Sequence, residues 1–145
     1  MRNLCATSAA ILALVGASVG ARAQEQGDYQ VIVNRANPVD EIDRETLADV
    51  FLKKVTRWSD DTTAQPADLD GHAVSRERFS EEVLRRSIAA VKSRWQQIIF
   101  SGRGVPPPEF DGDAQVLAYV ESHRGAVGYV SKGANTSGVK VLKVH

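Results

Sequence analysis

The chain has 145 residues, with 18 basic and 18 acidic side chains and a formal net charge of zero. That balance excludes a sequence-independent nucleic-acid binder, which needs a basic face. Cys5 is the only cysteine and lies inside the predicted N-terminal leader, so the expected mature chain has no disulfide and no cysteine-based metal or catalytic site.

In chain order, the first feature is a leader. Arg2 supplies a positive start, Ala9 to Val19 form an apolar run, and Ala21-Arg22-Ala23 match a small-residue cleavage site before Gln24. This pattern predicts a signal peptide over residues 1–23. The apolar run is shorter than the ~20 residues that a membrane span needs. Cys5 precedes the run, so it is no lipid-anchored cysteine at the cleavage point. The expected mature product is an exported, periplasmic domain of residues 24–145, without membrane insertion after cleavage. Loss of Arg2 and Arg22 leaves it with a net charge of about −2.

Gln30 to Asn34 is a short β-branched run and predicts a buried strand, ended by Asn37-Pro38. Asp43 then caps a predicted helix over Arg44–Lys54, with Leu47, Val50, Phe51 and Lys54 on one face. Lys53 and Lys54 suit the negative end of its dipole. Trp58 to Asp61 reads as a turn, and Gln65 to Leu69 as a second strand. Ser75 is the predicted cap of a helix bearing Phe79, Val83 and Leu84. Ser87 is the predicted cap of another, with Ile88, Val91, Trp95, Ile98 and Ile99 on its apolar face. Gly102 to Gly112, with Pro106-Pro107-Pro108, is the most linker-like stretch. Asp113 opens a helix striped by Val116, Leu117 and Val120, which Gly125 stops. Strands over Ala126–Val130 and Val139–Val144 complete the pattern. Strands alternating with helices predict an α/β fold with a mainly parallel sheet covered on both faces.

Four segments carry a family resemblance. VIVNRANPV (31–39) is similar to the entry strand of the second lobe of phosphate-binding proteins. In DRETLADVFLKKVTRWSD (43–60), Leu47, Phe51, Leu52, Lys54 and Trp58 match that family's segment. RERF (76–79) precedes Leu84 as in its next helix, and RGAVGYV (124–130) resembles its G-A-I-G-Y-V signature. Ile98 to Pro107 is similar to a stretch of short, single-domain members. The chain thus resembles the phosphate ABC transporter substrate-binding superfamily. The resemblance implies one three-layer αβα lobe of a type II periplasmic binding protein. It also implies phosphate or a related oxyanion as ligand, and an ABC transporter or sensor as partner. Full-length members carry an R-x-D-x-S-G-T loop that holds the anion. Here the corresponding stretch, Asp68 to Ser75, lacks Ser-Gly-Thr and carries Asp68 and Asp70.

The remaining candidates for ligand binding are Ser75, Arg76, Arg103 and Gly104. A helix start offers free N–H groups, and Arg76 adds a planar fork for phosphate oxygens. The competing reading of Ser75-Arg76 is an ordinary cap beside a solvated arginine. Ser101-Gly102-Arg103-Gly104 has the composition of a backbone nest with an arginine beside it, and equally that of a plain helix stop. His72, His123 and His145 lack ligand spacing, so no metal or other cofactor is expected. No nucleophile motif or acid–base pair marks an enzyme. Asn135-Thr136-Ser137 reads as a turn, and Trp58 and Trp95 as core. Gly128 reads as a close-packing position between the last helix and the sheet. Two functions remain open. One is an exported solute-binding-like protein for phosphate or a related oxyanion, serving uptake or sensing. The alternative is a periplasmic interaction module that docks on a sensor, a transporter component or a second copy of itself as a homodimer.

Overall fold

The computed structural model describes residues 28–145; the predicted signal peptide and its cleavage point lie outside these residues. Strand β1 (Tyr29–Val33) occupies the middle of a four-stranded sheet. On one side it pairs antiparallel with β6 (Ala126–Ser131), with Tyr29 opposite Ser131 and Val33 opposite Val127. On the other it pairs antiparallel with β7 (Lys140–Val141). β3 (Gln65–Pro66) closes the far edge, parallel to β6. Two small parallel pairs flank this sheet: β2 (Glu41–Ile42) with β8 (Lys143–Val144), and β4 (Asp68–Leu69) with β5 (Glu109–Phe110). The expected mainly parallel sheet is instead mixed: within the four-stranded sheet only β3–β6 is parallel, while β1–β7 and the longest ladder, β1–β6, are antiparallel, and the other parallel pairings are the two small flanking ones.

The helices cover both faces because strand side chains alternate. On one face, Tyr129 of β6 stacks on Phe79 at 3.9 Å between ring centroids, and Phe79 meets Phe51 at 4.7 Å. Phe51 comes from α1 (Arg44–Phe51) and Phe79 from α2 (Val74–Phe79). On the opposite face, Gly128 lets Val116 and Val120 of α4 (Asp113–Ser122) approach the sheet. Ala126 to Val130 are therefore buried throughout, as a doubly covered strand must be. The three-layer α/β lobe is as anticipated. α3 (Ile88–Phe100) contributes Val91 and Trp95 to the same core.

Several local expectations are met by geometry. Asp43 caps α1 by accepting from the Thr46 N–H at 2.8 Å, and Ser87 caps α3 by accepting from Ala90. Trp58 and Trp95 are core residues, and Asn135 accepts from the Ser137 N–H inside a turn.

Others differ for identifiable reasons. α1 ends at Phe51, because Lys53 adopts a left-handed φ of 55°. The strand expected over 65–69 splits at the buried Ala67, so that β3 joins one sheet and β4 another. α2 is succeeded by one π-helical turn, Ser80–Leu84, which ends at left-handed Arg85. The strand expected over 139–144 also divides between two sheets around Leu142. Gly102–Gly112 is no linker: β5 lies within it, and the Asp68 N–H donates to Pro108 O at 2.9 Å. α4 stops at Ser122, with His123 as its extended cap. Gly125 serves another need. A Cβ there would sit 1.9 Å from the backbone oxygen of Thr63, while its own carbonyl accepts from Gln65 N–H and from the Trp58 indole at 2.8 Å.

Candidate functional site

The structure separates the four expected ligand residues into two places. Ser75 and Arg76 lie in the first turn of α2, which is capped by Ala73 without a side-chain hydrogen bond. Ser75 is thus no cap. It sits inside the helix, buried, with its hydroxyl 3.3 Å from that of Ser131.

Arg76 is not solvated either. Its residue is 1% exposed, and its guanidinium forms an ion pair with Asp68. Nη1 also donates to Leu69 O at 3.4 Å. The Asp68 carboxylate accepts in addition from the Tyr129 hydroxyl and from the Leu69 N–H. Asp68, which sequence reasoning set down as unfavourable negative charge near an anion, is instead the internal counter-ion of Arg76. Burial pushes the Tyr129 phenol well above its ordinary value, and the positive charge of Arg76 pulls it partly back. This network welds β4, α2 and β6 together. Beside it lies a cavity of about 230 Å³ walled chiefly by Val91, Trp95, Ile99, Pro106 and Pro107.

Arg103 and Gly104 belong to the turn after α3. There Gly102 takes φ +67°, Gly102 N–H donates to Ile99 O at 3.0 Å, and Arg103 N–H donates to Ile98 O at 3.1 Å. This pair of bonds is a Schellman stop, so the expected helix-terminating role of this glycine is the one observed. The Arg103 side chain is exposed, with Nε donating to the Ser101 hydroxyl at 2.8 Å.

The stop delivers Arg103 and Gly104 to the rim of a cleft of about 520 Å³ between α3 and the end of α1. Lys53, Lys54 and Arg94 line the same cleft, and no carboxylate does. Lys54 is bridged to Asp49 at 3.0 Å. Lys53, Arg94 and Arg103 have no ion-pair partner among the described residues. Arg94 Nε is shielded from solvent and has no hydrogen-bond partner. Leu52, Trp95, Ile98 and Val105 form the apolar part of the wall. Trp95 also lines the smaller cavity, so the two places lie against a common indole.

Sequence reasoning missed Lys53, Lys54 and Arg94 as partners of Arg103, although a signal was present. Arg94 lies three residues after Val91 and four before Ile98, on the apolar stripe of α3. A cation at that spacing marks a place where the stripe meets something charged.

Among the described residues no group of three or more His, Cys, Asp or Glu is placed to hold a metal, and no helix is long and apolar enough to cross a membrane.

Helices on both faces of a mixed sheet define a three-layer α/β lobe. The chain belongs to the PBP superfamily domain family, whose model matches residues 27–142. No curated protein matches it. Among solved structures it is similar to a protein from Clostridium perfringens, solved with bound phosphate and described as a phosphate ABC transporter substrate-binding protein. That match has a TM-score of 0.65 at 21% identity, over 80% of this chain and 44% of the other. It is also similar to an ABC-type phosphate transport receptor from Vibrio cholerae, with a TM-score of 0.64 at 20% identity over 80% and 45%. PstS from Borrelia burgdorferi gives 0.64 at 14% identity over 81% and 47%. The chain therefore spans less than half the length of each of these proteins.

Proposed function

We propose that this protein is an exported, non-enzymatic solute-binding-like lobe that takes a small oxyanion, with phosphate as the first candidate. The observation that carries the reading is the cleft where Lys53, Lys54, Arg94 and Arg103 converge without a carboxylate. Cations facing a concave surface raise the local anion concentration, and guanidinium forks match phosphate oxygens. The phosphate bound or transported by the similar solved proteins supports the same ligand class. Arg103 and Gly104 bear the anion in this reading, while Ser75 and Arg76 build the scaffold, because Arg76 already has Asp68 as its counter-ion. A single lobe leaves the anion partly in water, so affinity is modest. Delivery to an ABC transporter or a sensor in the periplasm completes the proposal.

Calorimetric titration of the protein with phosphate and sulfate, beside Arg103→Gln and Arg76→Met variants, tests it. Saturable heat that Arg103→Gln abolishes and Arg76→Met leaves unchanged supports the cleft. Heat lost only with a folded Arg76→Met moves the anion to α2, and no heat at millimolar ligand ends the reading.

One observation favours a second reading, a docking module. Phe100 is 95% exposed and Val105 65% exposed, beside half-exposed Ile99 at the same end of α3. Clustered exposed apolar side chains mark protein contact surfaces.

A further inference from the structure

The cleft between α1 and α3 is built for more than a bare inorganic anion, an inference that rests on the anion-binding reading above. We infer that its ligand is an organic phosphomonoester: a phosphoryl group held by Lys53, Arg94 and Arg103, joined to an apolar body lying on Trp95, Ile98 and Val105.

Charge is the first argument. Lys54 is already bridged to Asp49, which leaves three cations in the cleft without an ion-pair partner among the described residues. A phosphomonoester carries a charge of about −1.5 to −2 near neutral pH and presents three strong acceptor oxygens. Lys53, Arg94 and Arg103 together offer one ammonium and two guanidinium groups to such an acceptor set. A monocarboxylate offers one charge and two oxygens, which leaves two of the three cations over.

Size is the second. The cleft holds about 520 Å³, whereas inorganic phosphate is a single tetrahedral group with no means of touching the rest of the wall. Clefts of roughly 300–1,000 Å³ are those that enclose organic ligands. The wall itself is the third argument. Leu52, Trp95, Ile98 and Val105 are apolar; Leu52 and Trp95 are buried beneath the wall, and its solvent-facing part is half-buried Ile98 with Val105, which is 65% exposed. An inorganic ion would leave this surface in water, whereas an aromatic or aliphatic body would cover it.

Backbone conformation makes the first of these cations easy to remove. Lys53 adopts φ 55° directly after α1, a conformation that glycine takes more easily. Its replacement by glycine therefore removes the charge without straining the chain, which makes Lys53→Gly a clean probe.

The experiment is a calorimetric titration of the protein with phenyl phosphate, inorganic phosphate and phenol. Phenyl phosphate is expected to bind about tenfold or more tightly than inorganic phosphate, because only it uses both walls. Lys53→Gly and Arg103→Gln are each expected to weaken phenyl phosphate by about tenfold. Val105→Ser should weaken phenyl phosphate several-fold and leave inorganic phosphate unchanged. Circular dichroism melts identify any variant that fails to fold, and Lys53→Gly and Val105→Ser lie outside the core. Equal affinity for phenyl phosphate and inorganic phosphate overturns the inference but leaves the oxyanion reading standing. Absence of binding by either overturns both. Tight phenyl phosphate binding that none of the three variants disturbs places the ligand elsewhere and overturns the inference.

Discussion

Arg76 and Asp68 form an ion pair inside the lobe, with side chains only 2% and 7% exposed. A third group, the Tyr129 hydroxyl, donates to the same carboxylate. Removing one partner of a buried pair strands the other, at a typical cost of about 3–5 kcal/mol. Asp68→Ala is therefore expected to lower unfolding stability by about that amount in urea titrations. The double variant Asp68→Leu/Arg76→Met is expected to recover most of the loss, because no charge is left uncompensated. A double variant no more stable than Asp68→Ala would show that packing around Arg76, rather than its charge, dominates.

Alkaline pH is expected to destabilise the fold through its tyrosines. Burial raises Tyr129 and Tyr29 well above their ordinary value, and raises Tyr119 as well; the Glu82 carboxylate that accepts from the Tyr29 hydroxyl adds to the rise there. A raised phenol keeps its proton longer in the folded state than in the unfolded one. Its contribution is thus fully present below the unfolded value near pH 10 and is lost as pH rises beyond it. Melting temperature should fall from about pH 10 upward, with phenolate absorbance appearing together with loss of helix. Phenolate absorbance at the ordinary tyrosine value, with the fold intact, would contradict the burial of these rings.

Gly125 and Gly128 both require the absence of a side chain, but to different degrees. At Gly128 an added Cβ meets Val116 at 2.7 Å and Val120 at 3.3 Å, both of them side-chain atoms. Gly128→Ala is expected to cost about 1–3 kcal/mol as α4 shifts away from the sheet. At Gly125 the clash is with a backbone oxygen at 1.9 Å. That oxygen cannot rotate away, and the carbonyl of Gly125 itself accepts from Gln65 N–H and the Trp58 indole. Gly125→Ala should be the more damaging of the two in thermal melts; the reverse order would mean that the Thr63 segment yields easily.

The difference between these glycines shows what was legible in the sequence. Gly128 was readable, since a strand glycine signals close approach and the Val116–Val120 stripe supplies the neighbour. Gly125 was not, because the chain that crowds it lies 62 residues earlier, at Thr63. The same holds for the elements. β1, β6, α1, α3 and α4 follow from local periodicity and caps, whereas the split of β3 from β4 depends on partners distant in sequence. Among the site candidates, Arg103 was found through its Gly-rich turn. Lys53 and Arg94 meet it only through the packing of α1 beside α3. For Arg76 the sequence reading is an anion ligand, with a solvated arginine as the competing one, and its burial rules out the second; it lies three residues before Phe79, on the apolar face of α2. The rule that it illustrates is positional: a cation spaced into an apolar stripe has a buried task.

Binding in the basic cleft should be strongly salt-dependent. Its cations lie on an open surface, and the Debye length shrinks from about 30 Å at 0.01 M salt to about 3 Å at 1 M. Phosphate affinity is expected to fall several-fold across that range when followed by calorimetry, whereas stability in urea should change little, since Arg76–Asp68 is out of solvent. Salt-independent phosphate binding would point to a desolvated site instead.

Arg94 links stability to binding most directly. Its Nε is shielded from solvent without a hydrogen-bond partner, and an unmet donor of this kind costs about 1–3 kcal/mol. Methionine retains much of the side chain's length and apolar packing and removes the donor. Arg94→Met is therefore expected to raise stability by about 1 kcal/mol while weakening anion binding, the trade expected of a residue kept for its ligand. Urea unfolding and a phosphate titration on the same sample check both halves. A variant that is less stable and binds normally would make Arg94 a packing residue, and would leave Lys53 and Arg103 to hold the anion.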